Sequence, residues 1–274
     1  MAFNDSEISN DSGQPLRGYE FTVNENTWRY TTSANNVLAG GKMWYAVPIS
    51  DSGVKLSGDT NVDALSITAP SDIGPANLYV GTPPSSEVTI TVFNLHRDNY
   101  ASAVVEYVGT VSQCDWPDPG TVVFTCESLF ASMERDGLRY GWTRNCGYAL
   151  YDPLTCKVQK EAYAVPAVLL SAENGQATAA AFATKESGYF NGGFISWLHP
   201  IRGIERRMIE EHAGNEIRLF GTADGLYYGL EVTAYPGCTR TSAMCKERFN
   251  NLPNYGGCMD MDGTNPFDGN PVFN

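Results

Sequence analysis

Alternation of apolar and polar residues in the first half of the chain predicts β-strands. Tyr19, Phe21 and Val23 alternate with polar residues, and Trp28 and Tyr30 repeat the alternation after a polar Asn-Glu-Asn turn. Because side chains in a strand point to opposite faces in turn, this pattern predicts a β-hairpin with one buried face.

The same kind of pattern recurs along the rest of the first half. Loops rich in Gly, Pro, Asp and Ser separate the segments, and sustained helical periodicity is lacking there. Further strands are predicted at residues 42–49, 77–81, 87–95, 103–111 and 120–129.

The second half predicts strands and hairpins with one short helix. The predicted β segments are residues 164–172, 188–198, 206–220 and 225–237, with a turn at 212–215. A helix is predicted over 241–252, with Thr241 or Ser242 as N-cap and Pro253 as the stop. The C-terminal residues 261–274 are expected to form a loop.

The fold class is therefore mainly β, with two β-rich domains. We expect a domain like a β-barrel or sandwich over residues 1–140 and a smaller cysteine-rich domain with one short helix over 141–274. The 27 glycines, 15 prolines and low charged content of 18% support strands and turns over a helical bundle.

Charge and apolar run length exclude several classes of partner. The formal net charge of −13 argues against tight binding of nucleic-acid phosphates. Apolar runs such as residues 164–170 are too short to span a bilayer, so membrane insertion is not expected. The first fifteen residues lack the basic and apolar regions of a secretory signal, which predicts folding in a reducing cytoplasm.

The cysteines are the main candidates for chemistry. Seven is an odd number, so complete internal pairing is impossible, and thiolate–metal chemistry is favoured in a reducing compartment. Two pairs stand out, Cys146 with Cys156 and Cys238 with Cys245, and four thiolates are the usual ligands of a structural zinc or an iron–sulfur cluster. Neither pair has the tight spacing common at zinc sites, and wider loops fit a bulkier cluster, although spacing alone does not decide.

Neighbouring features bear on whether these thiols are ionised. Cys245 lies near the predicted helix N-terminus, where the helix dipole stabilises a thiolate. Arg144 and Arg240 flank the pairs and can offset negative charge. The alternative is that these are inert thiols, since free cysteine is among the most buried residue types.

The other three cysteines are interpreted differently. Cys114 and Cys126 lie in predicted strands, which favours inert thiols of the core. Cys258 is either a spare thiol or a substitute ligand.

Other catalytic and metal motifs find little support. The three histidines are too few and scattered for a His-metal centre, and the nucleophile, phosphate-loop and dinucleotide motifs are absent. Asp260, Asp262 and Asp268 resemble a calcium loop only faintly, because the closing glutamate is missing, and a surface turn is preferred. Enzymatic activity is not expected.

A series of ordered motifs resembles one family of phage proteins. "RNCGYALYDPLTC", "GYFNGGFISW", "RRMIEEHAGNEIRL", "YPGCTRTSAMCKERFNNLPNYGG" and "NPF" follow one another over residues 140–267. They resemble the C-terminal region of the tail-tip hub proteins of siphophage baseplates and gene transfer agents, which are similar to the minor tail protein L of lambda-like phages. In the first half, "FTVNENTWRYTTS" and "YAVPISDSGVKLSG" resemble the family's β domain more loosely.

The resemblance implies a structural virion protein. Such a subunit would assemble in the host cytoplasm into a ring, expected to be a homotrimer, around the tail channel between the tail tube and the central tip protein. Its partners would be other tail and baseplate proteins, and DNA would pass through the channel without specific binding.

The resemblance also implies a [4Fe–4S] cluster held by Cys146, Cys156, Cys238 and Cys245. Where the family often has Gly-Gly-Phe-Pro after the helix, this chain has Gly-Gly-Cys-Met, which brings in Cys258. The alternatives are a cytoplasmic iron–sulfur or zinc redox enzyme and a zinc-stabilised binding module.

Overall fold

The chain divides into two compact units. A computed structural model describes residues 3–9, 13–55, 64–97, 100, 103–129 and 141–261. The first unit comprises residues 1–135 and 199–205, and the second comprises 136–198 and 206–274. The domain boundary predicted at residue 140 adjoins a segment, 130–140, that lies outside the described residues, so its position stays a prediction.

The first unit is built on a nine-stranded sheet. The strand order is β3-β4-β2-β1-β7-β8-β9-β6-β5, and neighbours are antiparallel except for the parallel pair β2 and β4. A short helix α1 precedes the sheet. The elements are α1 Phe3–Glu7, β1 Pro15–Val23, β2 Asn26–Thr31, β3 Val37–Ala39, β4 Lys42–Ala46, β5 Ser50–Asp51, β6 Leu65–Pro70, β7 Thr89–His96, β8 Val104–Asp118 and β9 Thr121–Ser128.

The predicted hairpin at the start of the sheet is confirmed. β1 and β2 pair with Phe21 opposite Trp28, and the alternating residues Tyr19, Phe21 and Val23 are buried. Phe21 packs against Phe124 of β9 with ring centroids 5.2 Å apart. The apolar face read from the sequence is therefore the face that forms the core of this unit.

The prediction of a strand at residues 77–81 is wrong. This segment forms a 3-10 helix, Ala76–Leu78, preceded by Pro75 with a helical φ of −60°. Its apolar residues are buried by the helical turn, because Ala76 and Leu78 both point into the core. A short apolar run does not by itself distinguish a strand from a buried turn.

Three strands of the first unit were not predicted. β3 and β5 have only three and two residues, too few for a periodic pattern. β6 does alternate, with Leu65, Ile67 and Ala69 buried, but small Ser, Thr and Ala residues weaken its apolar contrast. It lies between β9 and β5, and its pairing with β9 places it inside the sheet.

The second unit contains a seven-stranded sheet of order β10-β16-β13-β14-β15-β12-β11. Its core is apolar and includes Phe182, Phe190 and Ile195, all fully buried. The strands are β10 Val165–Val168, β11 Ser171–Glu173, β12 Gln176–Thr178, β13 Phe194–His199, β14 Gly203–Ala213, β15 Glu216–Leu219 and β16 Glu231–Tyr235. The mainly β fold class with two β-rich parts is confirmed.

Turns shorten two of the strands predicted in this unit. The predicted hairpin over 206–220 is present, with its turn at Gly214 and Asn215. Within 188–198, however, the strand begins only at Phe194, because residues before it turn at Gly192, whose φ is +69°. Similarly, turns occupy 225–230 before β16 begins. Glycine in the left-handed region marks these turns.

The predicted helix is present but shorter than expected. α2 spans Ser242–Glu247, and its N-cap is Thr241, whose hydroxyl accepts a hydrogen bond from the Met244 amide. The helix ends early because Asn250 adopts a left-handed φ of +44°, as at many helix C-termini. In the described part of the chain, neither α1 nor α2 nor any other helix is long and apolar enough to cross a bilayer.

Truncating Phe124 should destabilise the protein strongly. Phe124 is fully buried, so Phe124→Ala leaves a cavity and should lower the free energy of unfolding by about 3–5 kcal/mol. The matched control is Phe220→Ala, since Phe220 is 66% exposed, and its effect should stay within about 0.5 kcal/mol. Urea unfolding followed by circular dichroism measures both. Equal losses for the two variants would contradict the assigned core.

Candidate metal centre

Four cysteine side chains line one cavity in the second unit. Cys146, Cys156, Cys238 and Cys245 surround a space of about 120 Å³. Each was a candidate ligand from the sequence, and the two pairs are separated by residues 157–237. The other lining residues are Tyr148, Leu150, Val158, Gly192, Arg240, Thr241, Phe249, Asn254 and Tyr255.

Main-chain hydrogen bonds bring the two pairs together. The Cys146 amide donates to the carbonyl oxygen of Arg240 at 2.8 Å, which joins the first pair to the second. The Tyr255 hydroxyl shares its one hydrogen between the carbonyl oxygens of Arg144, at 2.8 Å, and Arg240, at 3.1 Å. One aromatic side chain thus ties both cysteine segments to a third stretch of chain.

A local turn presents Cys156. The Asp152 carboxylate accepts hydrogen bonds from the Thr155 amide, at 3.0 Å, and from the Thr155 hydroxyl. These bonds, the hydroxyl first, hold the pKa of Asp152 below its usual value. Tyr151 and Lys157 on either side have φ of +67° and +60°, so the chain reverses sharply around this turn.

Glycines let the main chain approach closely around the site. A Cβ on Gly237, next to Cys238, would lie 2.3 Å from the Asn191 carbonyl oxygen and equally close to the backbone of Gly192. A Cβ on Gly257 would lie 2.5 Å from the Arg144 carbonyl oxygen. These contacts leave no room for a side chain, so glycine is required at both positions.

Amide groups point toward three of the four sulfur atoms. The main-chain amide of Arg240 donates to Cys238 Sγ at 3.3 Å, and that of Gly256 donates to Cys146 Sγ at 3.4 Å. The Asn251 side-chain amide lies 3.9 Å from Cys156 Sγ. Donors of this kind stabilise a thiolate and tune the potential of iron–sulfur clusters.

Burial and mutual repulsion oppose ionisation of the free thiols. Burial raises the pKa of Cys238 and Cys245, and the nearby thiolates of the site raise both further. The expected helix-dipole effect on Cys245 does not prevail, because this residue is fourth in a six-residue helix and is buried. Arg240 lines the cavity and can offset negative charge, whereas Arg144 is not part of the lining and contributes its carbonyl oxygen.

The remaining cysteines lie elsewhere. Cys126 is fully buried in the core of the first unit and Cys114 packs against that core, as the sequence predicts. Cys258 is not among the lining residues; its amide donates to the Thr143 carbonyl oxygen at 2.9 Å. All seven cysteines fall within the described residues, and none forms a disulfide.

The histidines and the calcium-like loop form no metal group in the described residues. His96 is hydrogen-bonded to Glu7, and His212 is hydrogen-bonded to the Gly214 carbonyl oxygen. His199 accepts hydrogen bonds from two main-chain amides. Across the described ranges, no group of three or more His, Cys, Asp or Glu has the spacing to hold a single metal ion. Of the loop aspartates Asp260 is exposed, while 262 and 268 lie outside the described residues.

Sequence reasoning missed the residues that support the thiols. Asn251, Tyr255 and Gly256 all contact the cysteine segments, and they follow helix α2 in "NNLPNYGGC". The Gly-Gly pair in that run was an available signal of close main-chain approach. Asn251 carried no such signal, because a polar residue after a helix is common.

Comparison with known proteins identifies similar chains. Residues 188–265, less than a third of the chain, match the family model described as phage conserved hypothetical protein BR0599. An uncharacterised protein of Xylella fastidiosa (strain 9a5c) is 26% identical over 124 residues, which cover 41% of this chain. The aligned part is only 26% of that protein's length.

A solved structure shares the fold over nearly the whole chain. It is a chain of the virion of a native gene transfer agent particle, with a TM-score of 0.77. The alignment covers 98% of this chain and 95% of that one at 17% identity. At this identity the likeness establishes a common fold.

Adding a methyl group at Gly237 should disturb the site. Gly237→Ala forces the loop bearing Cys238 away from residues 191–192, and overpacking of this kind costs about 1–3 kcal/mol. Gly120→Ala is the matched control, since a Cβ there meets nothing within 4 Å. Differential scanning calorimetry should show a lower melting temperature for the first variant, and equal melting temperatures would contradict the close approach.

The core thiols should resist alkylation in the native protein. Burial raises the pKa of both Cys114 and Cys126 to about 12. At pH 8 only about one such thiol in 10,000 is a thiolate, against about a quarter for an ordinary cysteine. Peptide mapping after iodoacetamide treatment should find both unmodified in the folded chain and modified in denaturant. Rapid labelling of Cys126 without denaturant would contradict its burial.

Proposed function

We propose that this protein is a structural subunit of a phage-type virion, forming a ring around the tail channel at the tail tip. The proposal is supported by the fold shared with a gene transfer agent virion chain along almost the full length of both. It is also supported by the phage-conserved family model over 188–265 and by the ordered tail-tip motifs of the sequence. The ring is a homotrimer between the tail tube and the central tip protein.

The second unit holds a structural [4Fe–4S] cluster through Cys146, Cys156, Cys238 and Cys245. The observation that carries this assignment is the convergence of these four thiols on one cavity. Soft thiolates without histidine or carboxylate in the lining suit iron–sulfur or zinc chemistry.

The size of the cavity favours a cluster over a single ion. A volume of about 120 Å³ far exceeds the roughly 10–15 Å³ that accommodates one water. The amide donors to three sulfurs match the hydrogen bonding found around protein-bound clusters.

The bound cluster would act as a cross-link. Its chemistry is to join four thiolates, two from each end of the second unit, and so close the loop of residues 157–237. Metal binding of this kind contributes directly to folding free energy, because the unfolded chain lacks the site. Short strands and many turns give this unit little regular structure around the thiols, so a cross-link there resists load during DNA ejection.

The charge of the chain agrees with this role. A net charge of −13 repels phosphate, so DNA can pass through the channel without being held. The same charge also keeps a free subunit soluble before assembly. The host cytoplasm is the place of assembly and the tail tip is the final location.

A zinc-stabilised module is the second candidate, and it is favoured by the same four-thiol donor set. Zinc would give a colourless protein without acid-labile sulfide. A redox enzyme has less support, since the lining contains neither a carboxylate nor a histidine to move protons.

Serine substitutions should separate ligands from other cysteines. Cys238→Ser should reduce bound iron and sulfide in anaerobically purified protein and lower the melting temperature, because one ligand and part of the cross-link are lost. Cys146→Ser, Cys156→Ser and Cys245→Ser should behave alike. Cys258→Ser is the matched control and should retain iron, sulfide and melting temperature.

Two results of that series would contradict the assignment. An unchanged melting temperature in Cys238→Ser would remove the structural role. Loss of iron in Cys258→Ser alone would instead make Cys258 a ligand in place of one of the four.

The virion role predicts that the chain copurifies with tailed particles. Mass spectrometry of particles purified from a producing strain should detect it at a few copies per particle. Cryo-electron microscopy of the tail tip should show three copies around the channel. Particles that are complete and infective when the gene is deleted would contradict the role.

A further inference from the structure

We propose that Asn251 is a positioning residue of the four-cysteine centre, acting on Cys156 through its side-chain amide. The inference rests on the proposed function, since it concerns the cluster assigned to these thiols. It goes beyond the ligand set because Asn251 is not itself a ligand.

Asn251 bridges one cysteine of each pair. Its main-chain amide donates to the Cys245 carbonyl oxygen at 3.0 Å. Its side-chain Nδ2 donates to the Cys156 carbonyl oxygen at 2.5 Å and lies 3.9 Å from Cys156 Sγ. Arg240 makes the corresponding bridge between Cys146 and Cys238, entirely through its main chain.

The orientation of the Asn251 amide follows from its partners. The Cys156 carbonyl oxygen can only accept a hydrogen bond, so the nitrogen of the side chain must face it. The oxygen then faces Asn254, whose Nδ2 donates to Asn251 Oδ1 at 2.7 Å. Asn254 therefore fixes which end of the amide points at the sulfur.

Within the described residues, three N–H donors are directed at the four sulfurs, and the donor from Asn251 is the one that belongs to a side chain. The other two come from the main chain of Arg240 and Gly256, so no substitution other than proline removes them. An N–H group near a thiolate stabilises its negative charge, which raises the reduction potential of the cluster. It also opposes protonation of the thiolate, and protonation would release the iron. The effect of the Asn251 side-chain donor can therefore be measured separately from that of the two main-chain donors.

The test compares Asn251→Asp with wild type as anaerobically reconstituted full-length protein. Aspartate has the same shape but cannot donate, and its charge faces the Cys156 carbonyl oxygen and sulfur. We expect wild-type iron and sulfide content, a more negative midpoint potential of the bound cluster, and iron release to a chelator about fivefold faster. That factor corresponds to the loss of one ordinary hydrogen bond.

Two further variants complete the design. Gln159→Glu is the matched control: it makes the same amide-to-carboxylate change three residues after Cys156, where the side chain bonds the Lys157 carbonyl oxygen. It should leave both potential and release rate unchanged. Asn254→Ala should shift both in the same direction as Asn251→Asp, and it decides the matter if Asn251→Asp fails to fold.

The outcomes separate this inference from the proposed function. Wild-type protein without iron and sulfide would overturn the cluster, and this inference with it. If the wild-type protein contains the cluster, and both asparagine variants have the same midpoint potential and iron-release rate as wild type, the role of Asn251 is overturned and the cluster assignment stands. A shift equal in Gln159→Glu and Asn251→Asp would also overturn it, because nearby charge would then explain the effect.

Discussion

The second unit depends on hydrogen bonds between segments that are remote in sequence. The Cys146 amide meets the Arg240 carbonyl oxygen, and the Tyr255 hydroxyl bonds that same oxygen. Without these contacts the four thiols would belong to independent loops. With them, one buried and three partly buried thiols face one cavity, and their thiolate forms would be stabilised by a cationic inorganic group.

Main-chain segments approach each other closely around the four thiols. The residues that support the thiols are therefore either glycines or residues that donate hydrogen bonds. Gly237 and Gly257 leave the space that a side chain would fill. Amides of Arg240 and Gly256 then reach sulfur directly. Main-chain groups thus provide much of the support around the sulfurs, and the side chains of Asn251 and Tyr255 add to it.

The first unit is stabilised differently, by an apolar core. Its nine-stranded sheet buries an apolar core, in which aromatic residues such as Phe21 and Phe124 pack together. Two of its cysteines are ordinary members of that core. Cysteine therefore has two roles in one chain, an apolar filler in the first unit and a candidate ligand in the second. Burial with an apolar neighbourhood distinguishes the first role, and convergence on a shared space distinguishes the second.

Much of the fold could be predicted from local pattern. The alternation of Tyr19, Phe21 and Val23 predicted a buried strand face, and the residues flanking Gly214 predicted a hairpin. The errors fall where a pattern is short or ambiguous. The apolar run at 77–81 became a 3-10 turn, and strand β6 was concealed by its small residues. Helix α2 ends early, at Glu247, because the left-handed Asn250 rather than Pro253 stops it.

The sequence by itself determined the mainly β class, a helix cap at Thr241 or Ser242 and which four thiols were candidates, because each depends on residue type and short-range spacing. Only the tertiary structure decided that these thiols share a cavity, that Cys258 stays outside its lining, and that Asn251 contacts Cys156. Those facts depend on contacts between residues about a hundred positions apart. Such contacts are set by the packing of whole segments, and no local pattern of residues specifies them.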